Sequence, residues 1–163
     1  MTISTVPEQL GMRSPSGVVA PGMHKDVIAS GGTTRTLLAA ESGAVCLFDS
    51  AAGITYTLPT PVVGMHFDFF WKTQRTSSSH KIITSGATVF MVGSVMAGDA
   101  TIATSGDVFE ADGTTIVAVT IDGDTKGGFI GGRCTLVALS ATQWAIHGIL
   151  IGTGTMATPF TTT

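Results

Sequence analysis

The chain has 163 residues, of which 12% are charged and 44% are hydrophobic, and its formal net charge is −3. Charged residues are about half as frequent as in an average soluble domain, so we expect much of the surface to be buried against other copies or a partner. The acidic balance, without a basic stripe, argues against nucleic acid as a partner. No apolar run approaches the roughly 18 residues of a membrane span, although the mean hydropathy is +0.43.

The N-terminal region, residues 1–33, shows neither helix nor strand periodicity because glycine and proline interrupt its short apolar fragments. Its first residues lack the basic region and apolar core of a secretory signal. Apolar residues such as Leu10 and Val18 are more numerous than a linker needs. We therefore predict an extended arm that orders against a neighbour, rather than a frayed terminus.

Residues 44–48 and 54–58 are two apolar runs at strand spacing, joined by turn residues 49–53. In the second run apolar residues alternate with threonine, and the prolines that follow end the strand. These features predict a β-hairpin. The next strand, residues 65–72, places three aromatic side chains on one face, which we expect at the centre of the core.

Short strand patterns then follow one another to the end of the domain. They cover residues 80–84, 88–92, 94–96, 101–103, 108–110, 114–121, 134–139 and 143–150. Asp112-Gly113 is the strongest two-residue hairpin signal, and residues 140–142 suit a second hairpin loop. A polar loop is predicted at 73–79, and an exposed or extended tail at 152–163.

These elements predict an all-β fold with one central domain, residues 34–151, between the N-terminal arm and the C-terminal tail. Closely spaced turns and the lack of an amphipathic helix favour an antiparallel β-sandwich, jelly-roll-like, with a closed barrel as the alternative.

Two groups of side chains are candidates for a functional site. The first is a set of carboxylates, Asp107, Glu110, Asp112, Asp122 and Asp124. Carboxylate oxygens could hold calcium, but no twelve-residue loop with correctly placed ligands is present, and Asp-Gly is explained by turns. No pair is aligned for glycosidase chemistry.

The second group contains the histidines and cysteines, listed here: His24, His66, His80, His147, Cys46 and Cys134. The histidines lack the spacing of metal ligands. Ser77–Ser79, His80 and Asp68 could form a triad only on paper, since no Gly-x-Ser-x-Gly pattern supports it. The cysteines lie in apolar strand patterns and are predicted to be buried free thiols, with a disulfide as the minor alternative. We therefore predict no catalytic, metal or cofactor residues and no enzymatic activity.

Two segments of the sequence resemble segments of known proteins. They are AAESGAVCLFDSAAGITYTLPTPVVGMHFDFFW at residues 39–71 and TQWAIHGILIGTGTMATPF at residues 142–160. The first resembles a module of structural proteins of tailed bacteriophages, and together they are similar to capsid decoration, or cement, proteins.

This resemblance implies a homotrimer on the outer capsid surface that bridges major capsid proteins and stabilises the icosahedral head. It implies localisation in the virion after assembly in the host cytoplasm. The alternative is a tail fibre or tailspike module for receptor or carbohydrate binding, for which we expect exposed aromatic residues at loop tips.

Overall fold

The computed structural model describes residues 25–101 and 106–163, together with the short strands β1 (Arg13–Ser14) and β2 (Gly17–Val18), which pair with each other. Most of the predicted N-terminal arm therefore lies outside the described residues, as does part of the strand predicted at 101–103. The end of the arm is ordered within the domain, because Val27–Ile28 pairs with a strand of the main sheet.

The described residues form an all-β fold, as predicted. The strands after β2 are β3 (Val27–Ile28), β4 (Thr34–Thr36), β5 (Val45–Phe48), β6 (Thr55–Thr57), β7 (His66–Trp71), β8 (His80–Ile83), β9 (Phe90–Asp99), β10 (Asp107–Asp112), β11 (Ala118–Ile121), β12 (Arg133–Ser140), β13 (Gln143–Gly152) and β14 (Phe160–Thr161). In this part of the chain the one helical element is a short 3-10 turn at Ala39–Glu41. The described residues contain no helix that is both apolar and long enough for a membrane span.

Two sheets pack face to face. The larger has seven strands in the order β10-β9-β13-β12-β7-β5-β3, and the smaller has five in the order β14-β11-β8-β6-β4. Both contain parallel and antiparallel pairs. The predicted antiparallel arrangement is therefore wrong, because the sheets are mixed, and a jelly-roll order is not confirmed.

The parallel pairs arise because the chain changes sheets at every connection from β3 to β9. Strands β3, β5 and β7 lie parallel in the large sheet, and β4, β6 and β8 lie parallel in the small one. Two consecutive strands, one in each sheet, therefore make one turn of a continuous winding. Each such turn stacks on the previous one.

The hairpin predicted across residues 49–53 is accordingly wrong, since β5 and β6 belong to opposite sheets. Phe48 and Tyr56 meet across the core with ring centroids 5.3 Å apart. Both runs bury their apolar faces better by opposing each other than by lying side by side, because each inner face then covers the other.

In the second half of the chain, the hairpin predicted at residues 140–142 is confirmed. Strands β12 and β13 pair antiparallel through residues 140–142, and this hairpin lies between β7 and β9. Strand β9 is continuous, whereas the sequence suggested separate short strands. The hairpin predicted at Asp112-Gly113 is wrong, because β10 pairs with β9 and β11 pairs with β8 in the other sheet.

The core lies between the sheets and is rich in aromatic rings. Phe67, Phe69 and Trp71 are fully buried on the inner face of β7, which confirms the prediction for this strand. Phe48 stacks on Trp71 with ring centroids 4.7 Å apart. Such stacking adds to the stability that buried area alone provides.

The C-terminal residues also belong to the sandwich. Met156 and Phe160 are buried, and β14 pairs with β11 at an edge of the small sheet. The segment predicted as exposed or extended is therefore not exposed throughout, because these two side chains lie in the core.

Candidate functional site

The outer face of the seven-stranded sheet is unusually apolar for a surface exposed to solvent. Cross-strand pairing places six side chains in one row across six strands: Val108, Met96, Ile149, Arg133, Phe70 and Leu47. We call this the apolar row. Val108 is 65% exposed, Met96 50% and Ile149 47%. Only Arg133 interrupts it with a charge.

The neighbouring row on the same face is largely polar. It runs through Glu110, Ser94, His147, Thr135, Asp68, Val45 and Val27. We call this the polar row. A third row, on its other side, begins at Asp112, continues through the apolar side chains of Val92, Ala145 and Val137, and ends at His66.

Asp68 is the best-connected side chain of the polar row. Its Oδ1 accepts a hydrogen bond from Thr135 Oγ1 at 2.6 Å, and its Oδ2 accepts one from Lys25 Nζ, which also forms an ion pair with it. Partial burial raises the pKa of Asp68, but the hydrogen bonds from Lys25 and Thr135 outweigh it and hold the pKa below its usual value. The carboxylate is therefore both paired with Lys25 and hydrogen-bonded to Thr135.

A shallow depression of about 430 Å³ lies over these rows. Its walls include Asp68, Arg133, Thr135, His147 and Ile149. Among the lining residues, the thiol of Cys134 is buried in the core, and burial raises its pKa well above the usual value. This thiol is therefore not an activated nucleophile at the surface.

The apolar surface continues beyond the rows at one end of β12. Leu139 is 52% exposed, and the adjacent loop exposes Val62 and Val63. Gly64 N donates to the carbonyl of Ala138 at 3.0 Å, which fixes this loop beside the strand end.

Two of the carboxylates considered as calcium ligands, Asp112 and Asp122, accept hydrogen bonds within turns. Asp112 Oδ1 accepts from the backbone N–H groups of Thr114 and Thr115, at 2.9 and 2.8 Å. Asp122 Oδ1 accepts from the N–H groups of Asp124 and Lys126. Within residues 25–101 and 106–163, no group of three or more acidic, histidine or cysteine side chains could hold a metal ion.

The structure does not assemble the triad weighed in the sequence. His80 is fully buried, its Nδ1 accepts from Ile54 N–H at 3.0 Å, and its ring lies 4.6 Å from that of Phe48. Asp68 instead lies on the outer face of the other sheet. His66 and His147 lie on that same outer face, whereas His24 falls outside the described residues.

Both cysteines are buried free thiols, as predicted. Cys46 and Cys134 both pair with Phe69 from opposite sides and so lie two strands apart. Burial is the main cause that raises the pKa of Cys46 to about 12. Neither thiol is available for surface chemistry in the folded chain.

Sequence reasoning missed the outer face because strand neighbours are distant in the chain. The available signal was the apolar character of alternate residues that do not face the core, such as Met96, Leu139 and Ile149. Strands that are apolar on both faces usually have both faces covered.

Comparison with known proteins gives no match to this chain among protein families, curated proteins or solved structures.

Proposed function

We propose that the chain is a structural protein of a tailed-phage particle, a capsid decoration protein that binds as a homotrimer on the outer head surface. The observation that carries this proposal is the exposed outer face of the seven-stranded sheet. Six of the ten large hydrophobic side chains exposed in the described residues lie there: Val27, Phe70, Met96, Val108, Leu139 and Ile149. Such a concentration is typical of a protein contact.

The size of this face supports a protein partner. Seven strands spaced about 4.8 Å apart span about 29 Å, and three rows of side chains occupy about 20 Å along the strands. The resulting area, about 600 Å², approaches the roughly 800 Å² that each partner contributes to a standard interface. With the apolar loop at Val62 and Val63, the surface is large enough for a specific contact.

The low charge of the chain favours the same function. Eight basic and eleven acidic residues are few for a protein of 163 residues, and on the polar row the carboxylate of Asp68 is already compensated by Lys25. Arg133 and Glu110 are then the two charges of these rows for which a covering protein must supply partners.

In the proposed role, trimers bridge neighbouring major capsid proteins. Each contact is of ordinary strength, and repetition over the shell makes the combined attachment strong through multivalency. The role is structural and non-catalytic, without a cofactor.

The tail fibre or tailspike alternative receives no comparable support. It predicts aromatic side chains at loop tips that could stack on sugars. The residues Trp71, Trp144, Phe67 and Phe69 are buried in the core instead, so we do not adopt it.

The test is a measurement of mass in solution followed by attachment to phage heads that lack the protein. We expect a mass of three chains of 16.6 kDa each and saturable binding to the heads. A well-behaved monomer at low concentration that fails to bind heads would overturn the proposal. Copy number per particle separates the alternatives, since a shell protein is present in far more copies than a tail module.

A further inference from the structure

We propose that the outer face of the seven-stranded sheet receives residues 1–24 of a neighbouring copy of the chain. This inference rests on the oligomer of the proposed function and names the surfaces that would form it. The occupant is one segment, and the receiving surface is the apolar row with the polar row beside it.

The first argument is where the chain enters the sheet. Strand β3 is the edge strand of the seven-stranded sheet, and Lys25 precedes it by two residues. The side chain of Lys25 reaches the outer face and pairs with Asp68 in the polar row. The segment before Lys25 therefore starts beside the surface in question.

The second argument is length. Residues 13–18 fold back in the β1–β2 pair, and the other eighteen residues of the segment can extend to about 60 Å at about 3.3 Å per residue. The face is about 29 Å wide. The segment is thus long enough to leave its own copy and cross the corresponding face of a neighbour.

The third argument is composition. Eight larger apolar residues occur in the segment, Met1, Ile3, Val6, Leu10, Met12, Val18, Val19 and Met23, with only two charged ones. Three prolines and three glycines make a core of its own unfavourable. A segment of this composition buries its apolar side chains more readily against a surface that already exists than in a core of its own.

The fourth argument is charge. The two charged residues of the segment are Glu8 and Arg13, one of each sign. The face offers one cation in the apolar row, Arg133, and an exposed carboxylate in the polar row, Glu110. Glu8 of the segment can therefore pair with Arg133 of the face, and Arg13 with Glu110, so that docking leaves no charge of either sign without an opposite one.

The segment and the sheet face are different surfaces, so the contact between copies is heterologous. A heterologous contact closes into a ring when its rotation divides a full turn, and a trimer is one such ring. This is the geometry that the proposed homotrimer requires.

Crosslinking of the full-length chain tests the inference. The variant Val18→Cys/Ile149→Cys has one new thiol in the segment and one on the face, while the native thiols are buried and unreactive. Treatment with a short bis-maleimide should give covalent species of two and three chains on a denaturing gel. The matched control, Val18→Cys/Thr88→Cys, moves the second thiol to an exposed turn away from the face and should remain uncrosslinked.

A second, independent variant measures the energetic role of the face. Met96→Lys/Ile149→Lys places two charges in the apolar row and should raise the dissociation constant of the oligomer by about tenfold or more. The control Ser85→Lys/Thr88→Lys adds the same charge elsewhere on the surface and should leave it unchanged.

The outcomes separate this inference from the proposed function. Crosslinks within single chains, or none, in a protein that is still trimeric would overturn the inference and leave the proposed oligomer intact. A monomer that does not bind heads would overturn the proposed function itself. Crosslinks between chains, together with weaker association of the charged variant, support both.

Discussion

His80 is a histidine within the aromatic core, next to Phe48. It is fully buried, its Nδ1 accepts the N–H of Ile54, and its Nε2 has no hydrogen-bond partner. Burial, and secondarily the positive charge of Arg75, lowers its pKa from 6.5 to about 4. The ring is consequently neutral at pH 7, since a buried cation would be poorly solvated.

We predict that this histidine makes the fold sensitive to acid. The unfolded chain binds a proton below pH 6.5, whereas the folded chain does so only near pH 4, so the free energy of unfolding falls by up to about 3 kcal/mol across that interval. His80→Asn keeps an acceptor for Ile54 N–H but cannot titrate, and it should remove this part of the pH dependence. Urea denaturation of the wild type and of His80→Asn at pH 7, 5.5 and 4 measures this pH dependence of the free energy of unfolding.

His147→Asn, on the exposed outer face, is the matched control and should retain the wild-type slope. Parallel stability curves for the wild type and His80→Asn would contradict the prediction.

Gly93 is required by the close approach of two strands. Its φ is +124°, and a Cβ atom there would lie 2.2 Å from the carbonyl oxygen of Ile146 on β13. We predict that Gly93→Ala destabilises the fold by about 2 kcal/mol or more, because the strands must separate and the backbone conformation is strained.

Gly98 provides the control in the same strand, since a Cβ atom there meets nothing within 4 Å. Gly98→Ala should cost well under about 1 kcal/mol. Chemical denaturation of both variants decides the matter, and equal losses of stability would show that the strand approach is not responsible.

At the scale of the element, the connection from β10 to β11 depends on one carboxylate. Asp112 accepts hydrogen bonds from Thr115 Oγ1 and from the backbone N–H groups of Thr114, Thr115 and Ile116. These bonds, the one from the Thr115 hydroxyl first, lower the pKa of Asp112 well below its usual value. They fix the turn that directs the chain from one sheet to the other.

We predict that Asp112→Ala lowers the Tm at pH 7. Asp112→Asn should lower the Tm less, because its amide oxygen can still accept hydrogen bonds from the backbone N–H groups. The stabilisation is present above the ordinary carboxyl pKa of 3.8 and is lost as the pH falls through the lowered folded value. Calorimetry at pH 7 and pH 3 tests both statements. Asp107→Ala, in the same strand, is the control, and an equal fall in Tm would contradict the assigned role.

Local patterns predicted the elements better than their partners. The aromatic alternation of β7 and the short loop between β12 and β13 are encoded by adjacent residues, and both were predicted correctly. The partner of β5 could not be predicted, because turn residues at 49–53 suit a hairpin and a crossing to the opposite sheet equally well. Parallel pairing joins residues that are distant in the chain, and no nearby residue specifies it.

The same reason limited the prediction of the candidate site. Composition indicated a surface in need of a partner, but the apolar row combines residues from six strands. Only the strand order brings Val108, Met96 and Ile149 side by side. The absence of a catalytic constellation was expected from the sequence and remains a prediction.

At the scale of the whole molecule, charge is distributed so that one broad surface can be covered. Lys25 and Asp68 compensate each other on the outer face, and the exposed side chains around them are mainly apolar. In the proposed assembly this face is covered, and a covered surface needs no hydration of its own, which is consistent with the small number of charged residues in the chain.

The alternation of the chain between the sheets, from β3 through β9, has a mechanical consequence. The chain connects the two sheets at each step from β3 to β9, so neither sheet can shift without pulling on the other. A load applied to one side of the molecule is shared covalently with the other.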